Sequence, residues 1–133
     1  GAIALGCKKM NINKKTIKVF NNGNLSRDFT YIGDIVAGIM ATLLEDSKDT
    51  SLYKLYNIGN SAPVKLMDFI KSIENNLGIV AKKEMQPMQA GDVHQTWADV
   101  SKLQNDYDYK SNTLLSDGVT AFINWYKLYY NLK

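Results

Sequence analysis

The chain has 133 residues, of which 45% are hydrophobic and 22% charged, with a formal net charge of +3, one cysteine and one histidine. That length gives room for one small core, is short for most self-sufficient catalytic architectures, and carries the composition of an ordinary globular protein. A single cysteine excludes an internal disulfide and fits a reducing, cytoplasmic setting; no apolar run has the length of a membrane-spanning helix, and no signal-peptide pattern opens the chain.

The positive balance does not point to nucleic acid. Five lysines (8, 9, 14, 15 and 18) fall in residues 1–18 with no acid, and the remainder carries two net negative charges. A nucleic-acid surface needs cations spread along a face, with arginine or stacking aromatics interleaved. The lysine-rich start reads instead as the wet side of a terminal helix over 2–13, with Ile3, Cys7 and Met10 on its other side.

An extended piece follows at 16–20, and "VFNNGN" (19–24) is a turn, since Asn-Gly readily takes positive φ. A second extended piece is expected at 29–31. From 31 to 45 the residues Ile32, Ile35, Val36, Ile39, Met40, Leu43 and Leu44 recur at helical spacing, predicting a buried amphipathic helix capped by Thr30, with Asp34 near its positive end. Extended residues 55–58 lead through Asn57 and Gly59, which shape a strand-to-helix turn, and Ser61, a cap for the next helix. That helix is predicted over 63–77, with Pro63 in its first turn and Gly78 as its stop. Further extended pieces fall at 81–85 and 93–98, Asp99 caps a short helix through Leu103, and a last helix covers 114–130. The expected fold class is α/β (α+β): one small mixed domain over 1–133, helical, with few short strands.

Reactive chemistry is sparse. None of the nine glycines falls into G-x-G-x-x-G or P-loop spacing, and one His with one Cys does not suggest a metal site. His94 reads as a strand-edge residue, Trp97 as core filling, and Trp125 and Tyr126 as packing groups. Tyr129 and Lys133 match Tyr-x-x-x-Lys only at the chain's end, without a serine partner. No catalytic residue, cofactor-binding residue or metal ligand is read from this chain. The singular feature is Arg27, the only arginine among sixteen basic residues. A guanidinium grips two oxygens of a phosphate or carboxylate in a planar fork, which an ammonium cannot do. The residues alone leave two readings open: an anion clamp, or an ion pair with Asp28 or Asp34 that pins the turn.

Four stretches, "RDFTYIGDIVAGI" (27–39), "YNIGNSAPVKLMDFI" (56–70), "MQPMQAGDVHQTWADVSKL" (85–103) and "GVTAFINWYKLYY" (118–130), stand in this order. Together they resemble the carboxyl-terminal part of extended short-chain dehydrogenase/reductases, the NAD-dependent epimerase/dehydratase family, and within it UDP-glucuronate 4-epimerases. The resemblance implies a two-domain enzyme whose amino-terminal Rossmann domain holds NAD and the acid–base residues, while a smaller domain closes over a UDP-sugar; this chain looks like the smaller domain alone, inactive by itself. It further implies that Arg27 binds the substrate diphosphate, that Asp92 accepts hydrogen bonds from ribose hydroxyls, and that Gln89 stands where many relatives place a second arginine. Val19, in the segment 17–20, would wall the uracil pocket. Other readings are a nucleotide-sugar 4,6-dehydratase, a UDP-glucose 4-epimerase, or a stand-alone binding module without chemistry. The loss of a partner half is expected to expose apolar surface and favour self-association, a homodimer included.

Overall fold

The structure, a computed structural model, describes residues 15–132. The predicted helix over 2–13, and Lys133 of the Tyr-x-x-x-Lys match, lie outside the described residues. Among the described residues there are four α-helices: α1 (Ile32–Leu44), α2 (Leu66–Leu77), α3 (Ser101–Tyr107) and α4 (Leu115–Tyr129). They alternate with four short strands, β1 (Ile17–Val19), β2 (Ser26–Arg27), β3 (Val64–Lys65) and β4 (Lys83–Met85). The strands form two separate pairs, β1 parallel to β4 and β2 antiparallel to β3. Residues 29–31 and 55–58 are not strands, and 93–98 contributes only a parallel bridge between Gln95 and Ser26.

The core lies between α2 and α4. Helical spacing brings Phe69 and Ile73 of α2 against Val119, Ile123 and Tyr126 of α4, and Tyr126 is fully buried despite its hydroxyl. Phe29 stacks on Phe69 with ring centroids 3.9 Å apart, joining the β2–α1 connection to this core. α2 ends at Gly78, whose φ of 67° places it in the left-handed region favoured by a glycine stop. Its start differs from expectation: Lys65 precedes the helix, Pro63 lies before β3, and Ser61 does not cap it. The turn at 20–23 puts Asn21, Asn22 and Gly23 all at positive φ, and a Cβ on Gly23 would meet Met67 Sδ at 2.7 Å.

α1 occupies the predicted span but is turned inside out. The buried residues are Asp34 and Gly38, whereas Ile32, Val36, Ile39, Met40, Leu43 and Leu44 are all exposed. The polar face wins because it is fully satisfied. The Asp34 carboxylate accepts the Thr113 N–H (3.1 Å) and hydroxyl (2.9 Å), and the Tyr109 hydroxyl donates to the Asp34 carbonyl. Gly38 lets the Tyr109 and Ile58 side chains approach closely. Thr30 does not cap this helix; its hydroxyl oxygen accepts the Asn60 N–H at 3.1 Å. Asp99 does serve the start of α3, accepting both the N–H (3.0 Å) and hydroxyl (2.6 Å) of Ser101.

One ion pair holds β4 against α2. Lys83 Nζ contacts Glu74 Oε1, and the Ala81 N–H donates to the same oxygen at 2.8 Å. Burial acts to raise the Glu74 pKa, but the hydrogen bonds from Lys83 and Ala81 outweigh it and hold the carboxyl below its ordinary value. A depressed carboxylate pKa stabilises the fold above the unfolded-state value of about 4.3, and the contribution is lost as pH falls through the folded-state value. Glu74→Gln is expected to lower the unfolding free energy at neutral pH by about 1–3 kcal/mol, because a largely buried ammonium loses its partner. Urea titrations at neutral pH and below the carboxylate range check this, the two proteins converging in acid.

Candidate functional site

The site grows from β2 and the bend before 93–98. Arg27 ends β2, and its Nη2 donates to Asp92 Oδ1 at 2.6 Å. Its Nη1 donates to the carbonyls of Ser26 (2.8 Å) and His94 (3.3 Å). The two charged side chains keep 25% and 29% of their surface, so the pair is open to solvent on one side. Asp92 is set by a tight turn: its N–H donates to the Gln89 carbonyl at 3.2 Å across Gly91, whose φ is 80°. The Val93 N–H donates to the same Asp92 oxygen that Arg27 holds, at 2.9 Å. Neither Asp28 nor Asp34 partners Arg27, so the internal ion pair considered from the sequence does not form.

Three of the four sequence-predicted site residues therefore share one corner. Arg27 and Asp92 are in contact, and Gln89 opens the turn that carries Asp92, with its own side chain exposed. Val19 is not there. Its side chain is 1% exposed and faces the interior beside the Gly23 turn, so it presents no wall to a ligand. Only its backbone takes part in the region, the carbonyl accepting the Gln86 N–H at 2.8 Å. His94 sits at the rim as expected, with ring Nδ1 3.2 Å from the Asn21 amide nitrogen.

Asp28 does more than sequence reasoning allowed. Its carboxylate accepts three backbone N–H groups, from Asn60 (3.2 Å), Ser61 (2.9 Å) and Ala98 (3.1 Å). Gly59 is required beside it, since a Cβ there would stand 2.7 Å from the Ala98 Cβ and 3.0 Å from Asp28 Oδ2. Around this knot lies a polar crevice of about 340 Å³, bounded by Thr30, Asn57, Thr96, Trp97 and Asp99. Trp97 is 57% exposed there and fills no core, contrary to expectation, because its neighbour Ala98 takes the inward place against Gly59. Bonds from the Ser101 hydroxyl and N–H hold the exposed Asp99 carboxyl below its ordinary pKa. Among the described residues no group of three or more His, Cys, Asp and Glu is placed to hold a metal ion, and no helix is long and apolar enough to cross a membrane.

Comparison with known proteins places these features in a family. Residues 2–122 match the family model described as GDP-mannose 4,6 dehydratase. Protein CapI of Staphylococcus aureus is 41% identical over 133 residues, covering 90% of this chain and 40% of its own length. UDP-glucuronate 4-epimerase 4 of Arabidopsis thaliana is 37% identical, covering 88% of this chain and 30% of its own length. A solved structure of UDP-glucuronic acid 4-epimerase from Bacillus cereus, in complex with UDP-glucuronic acid and NAD, superposes with a TM-score of 0.84 at 32% identity. It covers 98% of this chain, which in turn spans 40% of that protein.

Asp28→Asn is expected to cost about 1–3 kcal/mol of stability, because an amide has one acceptor oxygen for three backbone donors. Hydrogen exchange should quicken at residues 60, 61 and 98 before it does in the α2–α4 core. Unchanged exchange at those three amides would show that the carboxylate does not hold the loops.

Proposed function

The chain belongs to the extended short-chain dehydrogenase/reductase family, in the group described as GDP-mannose 4,6 dehydratase, and from that premise we propose that it is the nucleotide-sugar-binding domain of an NAD-dependent epimerase acting on UDP-glucuronate. The observation that carries this reading is the meeting of Arg27 and Asp92 at 2.6 Å on an open corner of the domain. Their chemistries are complementary to the two polar parts of a nucleoside diphosphate. The guanidinium fork suits a diphosphate, and a carboxylate, which only accepts, suits a pair of ribose hydroxyls. In this geometry each neutralises the other. A diphosphate entering the corner replaces Asp92 as the anion on Arg27 and frees the carboxylate for the ribose. Gln89, on the same turn, adds an uncharged donor, which leaves most of the phosphate charge to Arg27.

The residues of this chain do not fit NAD. It has no glycine-rich phosphate loop, and no described cluster offers one, so the cofactor is assigned to a further domain, for which the unmatched 60% of the NAD-bound Bacillus cereus protein leaves room. No step of hydride or proton transfer is assigned to any residue here. A 4,6-dehydratase remains the second reading, favoured by the description of the matching family model. Product analysis of the full-length enzyme separates them, since a 4,6-dehydratase removes water from a hexose bearing a C6 hydroxyl, whereas a 4-epimerase returns a sugar of unchanged mass. UDP-glucuronate, a carboxylate at C6, has no hydroxyl there to lose. The single cysteine and the substrate class fit a cytoplasmic setting.

In the full-length enzyme, Arg27→Lys is expected to weaken UDP-sugar binding by roughly 1.5–3 kcal/mol, on the order of ten- to a hundred-and-fifty-fold, through loss of the bidentate fork. Asp92→Asn should cost less, since the amide keeps one acceptor. Calorimetric titration with UDP-glucuronate checks both, and wild-type affinity in Arg27→Lys would remove the diphosphate from this corner.

A further inference from the structure

The Arg27–Asp92 contact sets what the open corner refuses as well as what it takes. Arg27 Nη1 is committed to backbone, to the Ser26 carbonyl at 2.8 Å and the His94 carbonyl at 3.3 Å, so the guanidinium is not free to swing out toward an anion elsewhere. Asp92 Oδ1 lies 2.6 Å from Nη2, and the Val93 N–H donates to that same oxygen at 2.9 Å. Among the described residues nothing donates to Asp92 Oδ2. Asp28, next to Arg27 in the chain, is occupied by three backbone donors, so Asp92 is the carboxylate that answers this arginine. An anion gripped by any edge of the fork therefore arrives beside a carboxylate already on it. Like charges that close oppose binding unless one of them finds new donors.

We propose that the pair is a selectivity lock. Asp92 competes with every anion for Arg27 and yields only to one that brings vicinal hydroxyls within its reach, so the site takes ribonucleoside diphosphate sugars and rejects inorganic anions and 2′-deoxyribonucleoside diphosphates. The inference rests on the reading given under Proposed function and adds the nucleotide's own sugar to it. A ribose donates two hydrogen bonds to the carboxylate as the diphosphate takes the guanidinium, so both charged groups are satisfied again. Inorganic pyrophosphate takes the guanidinium and returns nothing: Asp92 keeps only the Val93 N–H, with a second anion beside it. A 2′-deoxyribose returns one hydroxyl of the two. An arginine left bare on so open a corner would instead hold whichever phosphate is most abundant.

The test titrates the full-length enzyme calorimetrically with UDP, 2′-deoxy-UDP and inorganic pyrophosphate, in the wild type and in Asp92→Asn. In the wild type, UDP is expected to bind about tenfold tighter than 2′-deoxy-UDP, the value of one hydrogen bond to a charged acceptor, and pyrophosphate more weakly than either. In Asp92→Asn the signs separate. UDP binds more weakly and its advantage over 2′-deoxy-UDP shrinks toward unity, while pyrophosphate binds several-fold more tightly because its competitor has lost its charge. A side chain that only shapes the corner would weaken all three ligands together. Pyrophosphate affinity unchanged or lowered in Asp92→Asn overturns the proposal, as does a wild type that binds UDP and 2′-deoxy-UDP equally. The wild-type comparison decides the matter by itself if Asp92→Asn fails to fold. UDP-glucuronate, assayed in parallel, keeps the two readings apart. Its turnover by an enzyme with no ribose preference sinks the lock alone; ribose preference in an enzyme that neither binds nor converts it sinks the sugar assignment and leaves the lock standing.

Discussion

Three backbone N–H groups converge on the Asp28 carboxylate, and the shape of the site follows from that convergence. The donors come from two loops distant in sequence, 59–61 and 96–98, neither of which belongs to a regular ladder. The Asn60 and Ala98 amides, half-buried, would otherwise be poorly satisfied, a cost comparable to a lost hydrogen bond. Gathering them on one acceptor fixes the segment after Asp92 beside β2, which is why Arg27 finds Asp92 without help from an extended sheet. The strands themselves are two or three residues long and do not impose this register alone.

That arrangement explains how a small domain with few strands keeps a charged pair in place. Arg27 is anchored by two carbonyls on one amino group and by a carboxylate on the other. Asp92 is anchored by its own turn and by the Val93 N–H. Both groups are thus held in place by the backbone around them, with little side-chain freedom left to lose.

How much of this was legible in the sequence depends on what each signal encodes. α2 and α4 were readable because their apolar spacing and the Gly78 stop act locally, and their partner surface lies within the same chain. The extent of α1 was equally readable, but its orientation was not. Periodicity states which residues share a face; it does not say which face turns inward when Asp34 and Gly38 find better partners there. Arg27 stands out by composition and Asp92 through the family resemblance, but the contact between them is visible only in the structure. Asp28 reads from the sequence only as a candidate ion-pair partner for Arg27, because its actual donors are backbone groups that carry no side-chain signature. Val19 was misplaced for a simpler reason: in β1, alternation sets Val19 inward and Lys18 outward, so a strand-period reading already argued against an exposed role. Two-residue strands such as β2 and β3 leave no period to detect.

Gly38 carries a last implication. Helix interiors disfavour glycine relative to alanine by about 1 kcal/mol, and here the absent methyl is what allows the Tyr109 ring to press against the helix backbone. An added Cβ would lie 2.9 Å from that ring, so any larger residue acts as a wedge under the middle of α1. Levering the helix away would tilt the whole hydrophobic plate it presents. A one-carbon change far from Arg27 thus alters how α1 sits on the rest of the domain, and a substitution at this position acts through the packing of the helix and not through the Arg27–Asp92 corner.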